Sequence, residues 1–432
     1  MKRMMRYLFF LIITLLPFAE VRITVLGIPL YLPEIPIGIA ALVYGVGVYR
    51  REIRFRAVSR VETAGMSLFL LGAVCASVSA GMNLQELGAI KSWFLFPMIG
   101  GFLVSQMCIG VEERQMMLRA WFITVVVTAG ISLLPFPFVL RTYDGRLASF
   151  FTSPNHLAFF LEPGVLLGTF FCLGYLRKRC WSQSVLFFTE TALVLLVLFE
   201  TKSEGGMTAA VVGIVFFLVQ DVLPRKYHIH CLFFAVFLGA LLLPSSGIFE
   251  NSVSRLESGE VRNSLASRVM IWNASVRMIW EHPFFGVGLR NFEREYLALQ
   301  SEFPPYLEWA VPHPHDIFLA TWLQTGIIGL TGFIFILGSA LRSLWVYVRH
   351  ETSAQTFNET ALLLSFLVAF FVHGLVDTPF FRNDLDIQWF AVIGLVVAVS
   401  RKKTAERHPE ESSTDRPERK ENKPVETGLF KL

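Results

Sequence analysis

The chain has 432 residues, 54% of them hydrophobic and only 17% charged, with a formal net charge of +4. Its mean hydropathy is +0.54. A soluble domain carries about 25% charged residues, so this composition excludes a string of soluble domains and indicates a polytopic membrane protein.

The first twenty residues, MKRMMRYLFFLIITLLPFAE, resemble a signal peptide, but no A-x-A cleavage site follows and further apolar runs come after. They are read as an uncleaved first span. Later runs, such as TAGMSLFLLGAVCASVSA at 63–80, approach the roughly 20 residues that cross a ~30 Å hydrocarbon layer. In chain order these runs predict about twelve spans, near 5–19, 35–49, 62–80, 93–109, 120–138, 156–175, 184–200, 207–223, 231–243, 316–341, 361–376 and 387–400. The expected fold class is therefore all-α, a single transmembrane domain over residues 1–400. One long polar insert, about 244–315, separates the ninth and tenth spans. A tail at 401–432 is nearly devoid of apolar residues and is expected to be disordered. The five cysteines form no CxxC pair, so neither a zinc site nor a disulfide framework is indicated.

Alternate loops differ in basic content. One set carries Lys2, Arg3 and Arg6, then Arg50, Arg51, Arg54, Arg56 and Arg60, then Arg114 and Arg119, Arg177, Lys178 and Arg179, Arg225 and Lys226, and Arg342 and Arg349. The short loops of the other set hold only Arg22, Lys91, Arg141, Arg146, Lys202 and Arg382. By the positive-inside rule both termini are expected to be cytoplasmic and the long insert extracytoplasmic.

Polar chemistry concentrates on the outer side. The insert has Arg255, Arg262, Arg268, Arg277, Arg290 and Arg294 and no Lys. Guanidinium groups bind phosphate oxygens in pairs and stay charged at any relevant pH, although the insert's glutamates could equally balance them. Within it, SLASRVMIWNASVRMIWEHPFFGVGLRNF (264–292) has helical spacing up to His282, and Pro283, Gly286 and Gly288 then predict a turn. His313 and His315 stand at the start of the tenth span. A metal is disfavoured there because no further ligand except Asp316 lies nearby in sequence, and a general base is the sharper reading, since imidazole titrates near ~6.5. At the mouth of the sixth span lie Arg141, Arg146, Asn155 and His156, with Glu162 next to Pro163 inside the bilayer, where a carboxylate is either functional or locally paired.

Taken in order, GRLASFFTSPNHLA (145–158), TKSEGG (201–206), SRVMIWNASVRMIWEHPFFGVGLRNF (267–292), HPHDIFLATWLQTGIIG (313–329) and, more weakly, HGLVDTPFF (373–381) resemble the O-antigen ligase and Wzy-type polymerase superfamily of bacterial surface-polysaccharide enzymes over about residues 60–400. There are departures. Ser203-Glu204-Gly205 replaces the usual Ser-Arg-Gly, Asp316 stands where Asn commonly follows the second His, and Gln324-Thr325-Gly326 replaces Glu-x-Gly.

The resemblance implies a glycosyltransferase of GT-C-like architecture in the bacterial inner membrane. Its donor would be an undecaprenyl-pyrophosphate-linked glycan and its acceptor lipid A-core or another surface glycan. Arg146 and Arg268, with Arg290, would hold the pyrophosphate alongside Asn155. His315, supported by His313, would be the base in an inverting, metal-independent transfer without cofactor or nucleic acid. A polysaccharide polymerase or protein O-oligosaccharyltransferase would share this plan. A lipid-linked oligosaccharide transporter could instead use Glu162, His373 and Asp377 for coupling, but would be expected to show two related halves.

Overall fold

A computed structural model describes residues 2–25, 28–222, 230, 264–302, 311–350 and 354–407. The expected ninth span, the insert up to 263 with Arg255 and Arg262, and the tail from 408 onward lie outside the described residues.

The elements are α1 (Lys2–Leu15), a hairpin of β1 (Arg22–Val25) and β2 (Ile28–Tyr31), α2 (Glu34–Tyr49), α3 (Arg60–Ser79), α4 (Leu84–Met107, with a π-helical stretch at Ile90–Leu95), α5 (Val111–Ser132), a second hairpin of β3 (Leu140–Arg141) and β4 (Leu147–Ser149), α6 (Pro154–Arg177), α7 (Trp181–Glu200), α8 (Glu204–Val222), α9 (Ser264–Glu281), α10 (Phe292–Leu299), α11 (Ile317–His350), α12 (Ala354–Gly374) and α13 (Asn383–Arg407). Among the described residues, seven helices are long and apolar enough to cross a membrane: α3, α4, α5, α6, α7, α11 and α13. Three shorter apolar helices lie at Glu34–Tyr49, Glu204–Gln220 and Asn358–Gly374. Each expected span other than the ninth overlaps a helix, although the fifth, 120–138, runs past the end of α5 at Ser132.

Two details differ from the expectation. The fold is helical but contains two small antiparallel hairpins, paired Arg22↔Tyr31 and Leu140↔Ser149. The second turns at Asp144-Gly145, where Gly145 has φ +76°, a dipeptide suited to tight hairpins. In addition, α13 continues to Arg407, so the helix extends beyond the expected boundary at 400.

Helix limits follow local chemistry. Ser59 and Glu62 form a reciprocal capping box at the start of α3. Ser153 accepts from the His156 amide and Pro154 occupies the first turn of α6. Packing depends on small residues. Gly65 and Gly72 of α3 lie directly on Gly332 and Gly329 of α11, and a Cβ at Gly72 would fall on the Gly329 backbone. In a bilayer, where apolar side chains gain little by leaving lipid, such close backbone approach supplies the contact energy. The same device joins Gly101 of α4 to Phe390 and Gly394 of α13.

These contacts define two ends of the bundle. α3 and α11 are antiparallel, which places the start of α11 beside the end of α3. α4 and α13 run parallel, with Arg401 donating to the Ser105 carbonyl at one end. The starts of α6, α11 and α13 therefore lie at one end, and Arg56, Gln106 and Arg401 lie at the other.

Within α11, Gly326 is non-helical (φ +64°, ψ −176°). The break leaves the Leu323 carbonyl to accept from the Val287 amide (2.6 Å), while the Trp322 indole donates to the Pro283 carbonyl (2.8 Å). The expected turn at 283–288 thus docks into the kink. Only glycine fits at Gly326, because a Cβ there would strike the Phe284 carbonyl.

Candidate active site

The turn ahead of α11 presents both histidines. Asp316 caps the helix, its Oδ1 accepting from the amides of Phe318 (2.9 Å) and Leu319 (2.8 Å). A carboxylate can replace the amide common at this place because capping needs only an oxygen acceptor. Burial raises the Asp316 carboxyl to about 6, against the opposing pull of those two amides. His315 takes a left-handed backbone conformation (φ +53°), uncommon for a residue other than glycine. The two imidazole rings stand 4.6 Å apart at 73°, and the Trp272 indole of α9 donates to the His315 carbonyl (3.4 Å).

Opposite them lies Asp377, in the turn between α12 and α13. His315 Nδ1 is 2.9 Å from Asp377 Oδ1 and His313 Nδ1 is 3.9 Å from it. The Thr378 amide donates to the same oxygen (2.8 Å), and the Asn155 side-chain amide donates to Oδ2. Burial pushes the Asp377 carboxyl upward, but His315 first, then His313 and Arg268, outweigh it and hold the group well below the usual carboxylate range. An ionised carboxylate can only accept. His315 Nδ1 therefore carries the proton in this bond, which in a neutral ring leaves the lone pair on Nε2.

His313 behaves differently. Its side chain is 14% exposed against 24% for His315, and its buried Nδ1 has no hydrogen-bond partner. Burial, followed by repulsion from His315, lowers it to about 3. It remains neutral at ordinary pH and is a poor proton acceptor.

The arginines extend this network. Arg146, projected by the β3–β4 hairpin, donates from Nη2 to Asn155 Oδ1 (2.6 Å) and from Nε to the Thr201 carbonyl (2.9 Å). Arg268 of α9 donates to the Val376 carbonyl (2.6 Å), next to Asp377. Burial lowers the Arg146 pKa; nearby Arg268 lowers it further, whereas Asp144 and Asp377 raise it. Arg146, Asn155, Arg268, His313 and His315 thus converge on one point. Arg290 does not join them. Its guanidinium stands 4.9 Å over the Trp93 ring on α4.

Four more residues adjoin these five in the fold, one of them His156, already noted at the mouth of the sixth span. Arg382 donates to Thr152 Oγ1 (2.5 Å) and to His156 Nδ1 (3.0 Å), and His156 lies 6.2 Å from His313, ring to ring. Asp377 is the fourth. It was legible as a candidate only through the weak HGLVDTPFF match and the intramembrane acidic signal. Glu162 is locally paired: it bonds the His373 imidazole, which is stacked 3.5 Å from the Phe159 ring.

The structure also supplies what the histidine spacing lacked for a metal. Ligand atoms of His313, His315 and Asp377 lie within 4.8 Å of one another, a nitrogen and oxygen set suited to a divalent transition metal. The hydrogen bond between His315 and Asp377 competes with that role, because a protonated Nδ1 offers no lone pair.

Among the described residues, seven long apolar helices with a polar His–Asp–Arg cluster at one end define a multi-pass membrane protein with an enzyme-like site. Residues 191–334 match the profile of the O-antigen ligase family, so this part of the chain is similar to the O-antigen ligases. The matched segment includes Arg268, Arg290, His313 and His315; Arg146, Asn155 and Asp377 lie outside it. An uncharacterized protein of Haemophilus influenzae is 24% identical over 177 residues, covering 38% of this chain and 44% of that protein. The chain therefore aligns with less than half of that relative's length.

Proposed function

We propose that the protein transfers a glycan from an undecaprenyl-pyrophosphate donor to lipid A-core or another surface-glycan acceptor at the outer face of the cytoplasmic membrane. The observation that carries this reading is the 2.9 Å hydrogen bond between His315 Nδ1 and Asp377 Oδ1, with Arg146 and Arg268 beside it. His315 Nε2 takes the proton from the acceptor hydroxyl as its oxygen attacks the anomeric carbon. The bond from that carbon to the pyrophosphate oxygen breaks, and undecaprenyl pyrophosphate leaves. Arg146 and Arg268 stabilise the charge developing on the leaving group. A single displacement inverts the anomeric configuration. Asp377 keeps the His315 tautomer and stabilises the imidazolium formed.

The test uses purified protein, a lipid-linked donor and an acceptor glycan. His315→Ala should lower the transfer rate about 10²–10⁴-fold while donor binding persists. Wild-type activity should survive EDTA. Full turnover by His315→Ala would overturn the base assignment, and loss in EDTA restored by added metal would make the His313–His315–Asp377 cluster a metal site. In a deletion strain, loss of all long glycan from lipid A-core identifies a ligase, whereas one-repeat products identify a polymerase.

A further inference from the structure

At the end of the bundle opposite His315 lies a cavity of about 420 Å³, bounded by α1, the segment after α2, the end of α4 and the start of α5. Its inner wall is apolar and includes Phe9, Ile13 and Met117, all buried. Its rim carries four arginines, Arg6, Arg51, Arg54 and Arg56, against two acidic residues, Glu52 and Glu113. Arg6 pairs with Glu113 across the mouth (3.0 Å). The side chains of the other three arginines have no hydrogen-bond or carboxylate partner among the described residues.

The rim is held in place. Gln106, buried, accepts from the Arg56 amide (3.0 Å) and the Tyr44 hydroxyl (3.0 Å) and donates to the Arg56 carbonyl (2.9 Å). Arg401 donates to the Ala57 carbonyl (2.9 Å). Arg51 ends α2 with φ +60°, a conformation glycine adopts with less strain, yet a guanidinium is placed there. Burial, and then repulsion from Arg54, lowers the Arg56 pKa, so a bound anion would relieve that crowding.

Basic residues at one end of a membrane protein follow from the positive-inside rule alone. That rule does not account for a rigid rim over an apolar chamber. Nor does it account for a second, small cavity of about 20 Å³ that shares Phe9 and Ile13 as lining and reaches Val104 and Ile387. A free phosphate or nucleotide would leave this apolar wall unused. An acyl chain would fill it, with the headgroup phosphate at the rim, where paired guanidinium donors fit phosphate oxygens.

We propose that this cavity binds one anionic glycerophospholipid from the leaflet on that face, with its phosphodiester among Arg51, Arg54 and Arg56 and an acyl chain along α1. The site is independent of the His315 chemistry.

The test is native mass spectrometry of the full-length protein titrated with dioleoyl-phosphatidylglycerol or dioleoyl-phosphatidylcholine. One phosphatidylglycerol should bind about tenfold more tightly than phosphatidylcholine. In Arg51→Gln/Arg54→Gln, which alters exposed side chains without partners, that preference should disappear. Met116→Trp, which fills the cavity from its half-exposed edge, should reduce binding of both lipids. Inorganic phosphate at millimolar concentration should not displace the lipid. Equal retention of the two lipids by the wild type, an unchanged preference in the double variant, unchanged binding in Met116→Trp or displacement by phosphate would each overturn the proposal.

Discussion

Replacing Asp377 with Asn tests the active-site geometry most severely, because the surrounding donors leave the new amide no acceptable orientation. Arg146 has only donors, so its 2.6 Å contact fixes Asn155 with Oδ1 toward the guanidinium and its amide toward Asp377. Asp377 then accepts from Asn155 on one oxygen and from His315 and the Thr378 amide on the other. An asparagine has one oxygen. If it faces His315, two amide groups meet at Asn155. If it faces Asn155, its amide donates to His315 Nδ1, the proton moves to Nε2, and the base is lost. A hydrogen bond to a charged group is worth about 1.5–3 kcal/mol, and loss of the basic tautomer adds to this. Together they come to about 3–5 kcal/mol of barrier, or ~10²–10⁴ in rate. Initial rates with a lipid-linked donor measure the loss, and donor affinity measured separately should change little. Because the two residues act as a unit, Asp377→Asn/His315→Ala should be no slower than His315→Ala alone. An Asp377→Asn rate within about threefold of wild type, or independent effects in the double variant, would refute the reasoning.

The remaining predictions follow from the same contacts. Asp316→Asn keeps an oxygen cap and removes a carboxyl raised to about 6. With the folded pKa above the unfolded ~3.9, Asp316's contribution is fully present below about pH 4 and is lost as pH rises through 6, so the variant should gain up to about 3 kcal/mol at pH 7, seen as a higher Tm, and nothing at pH 4. Arg146→Lys and Arg268→Lys should each lower transfer more than about tenfold, since a lysine lacks the planar fork. Arg290→Lys, over Trp93, should act less and chiefly on donor KM, read from initial rates. For topology, a Cys at Tyr143, which is 90% exposed, should react with an impermeant thiol reagent applied outside intact cells, in a chain stripped of native cysteines. A Cys at Ser59 should not.

Helix positions could be read along the chain because each span must bury its own backbone polar groups in lipid, which makes a long apolar run nearly sufficient evidence for a helix. The start of α6 was also local, since Ser153 and Pro154 act within one turn. The sequence also singled out His313, His315, Arg146, Arg268 and Asn155 by residue type, and the fold brings these five together. What the sequence left open was partnership. Asp377 lies 62 residues from His315 and 222 from Asn155, and membrane helices that are apolar on every side carry no periodic stripe to say which faces meet. Only packing brought the carboxylate to His315. The same packing separated the two histidines by burial, offered a third metal ligand that the spacing did not suggest, and set Arg290 over Trp93 instead of beside Arg146. Side-chain type is a property of the chain, but proton position, charge and ligand geometry depend on neighbours from other helices, and those are fixed only when glycine-lined surfaces such as Gly72 and Gly329 come together.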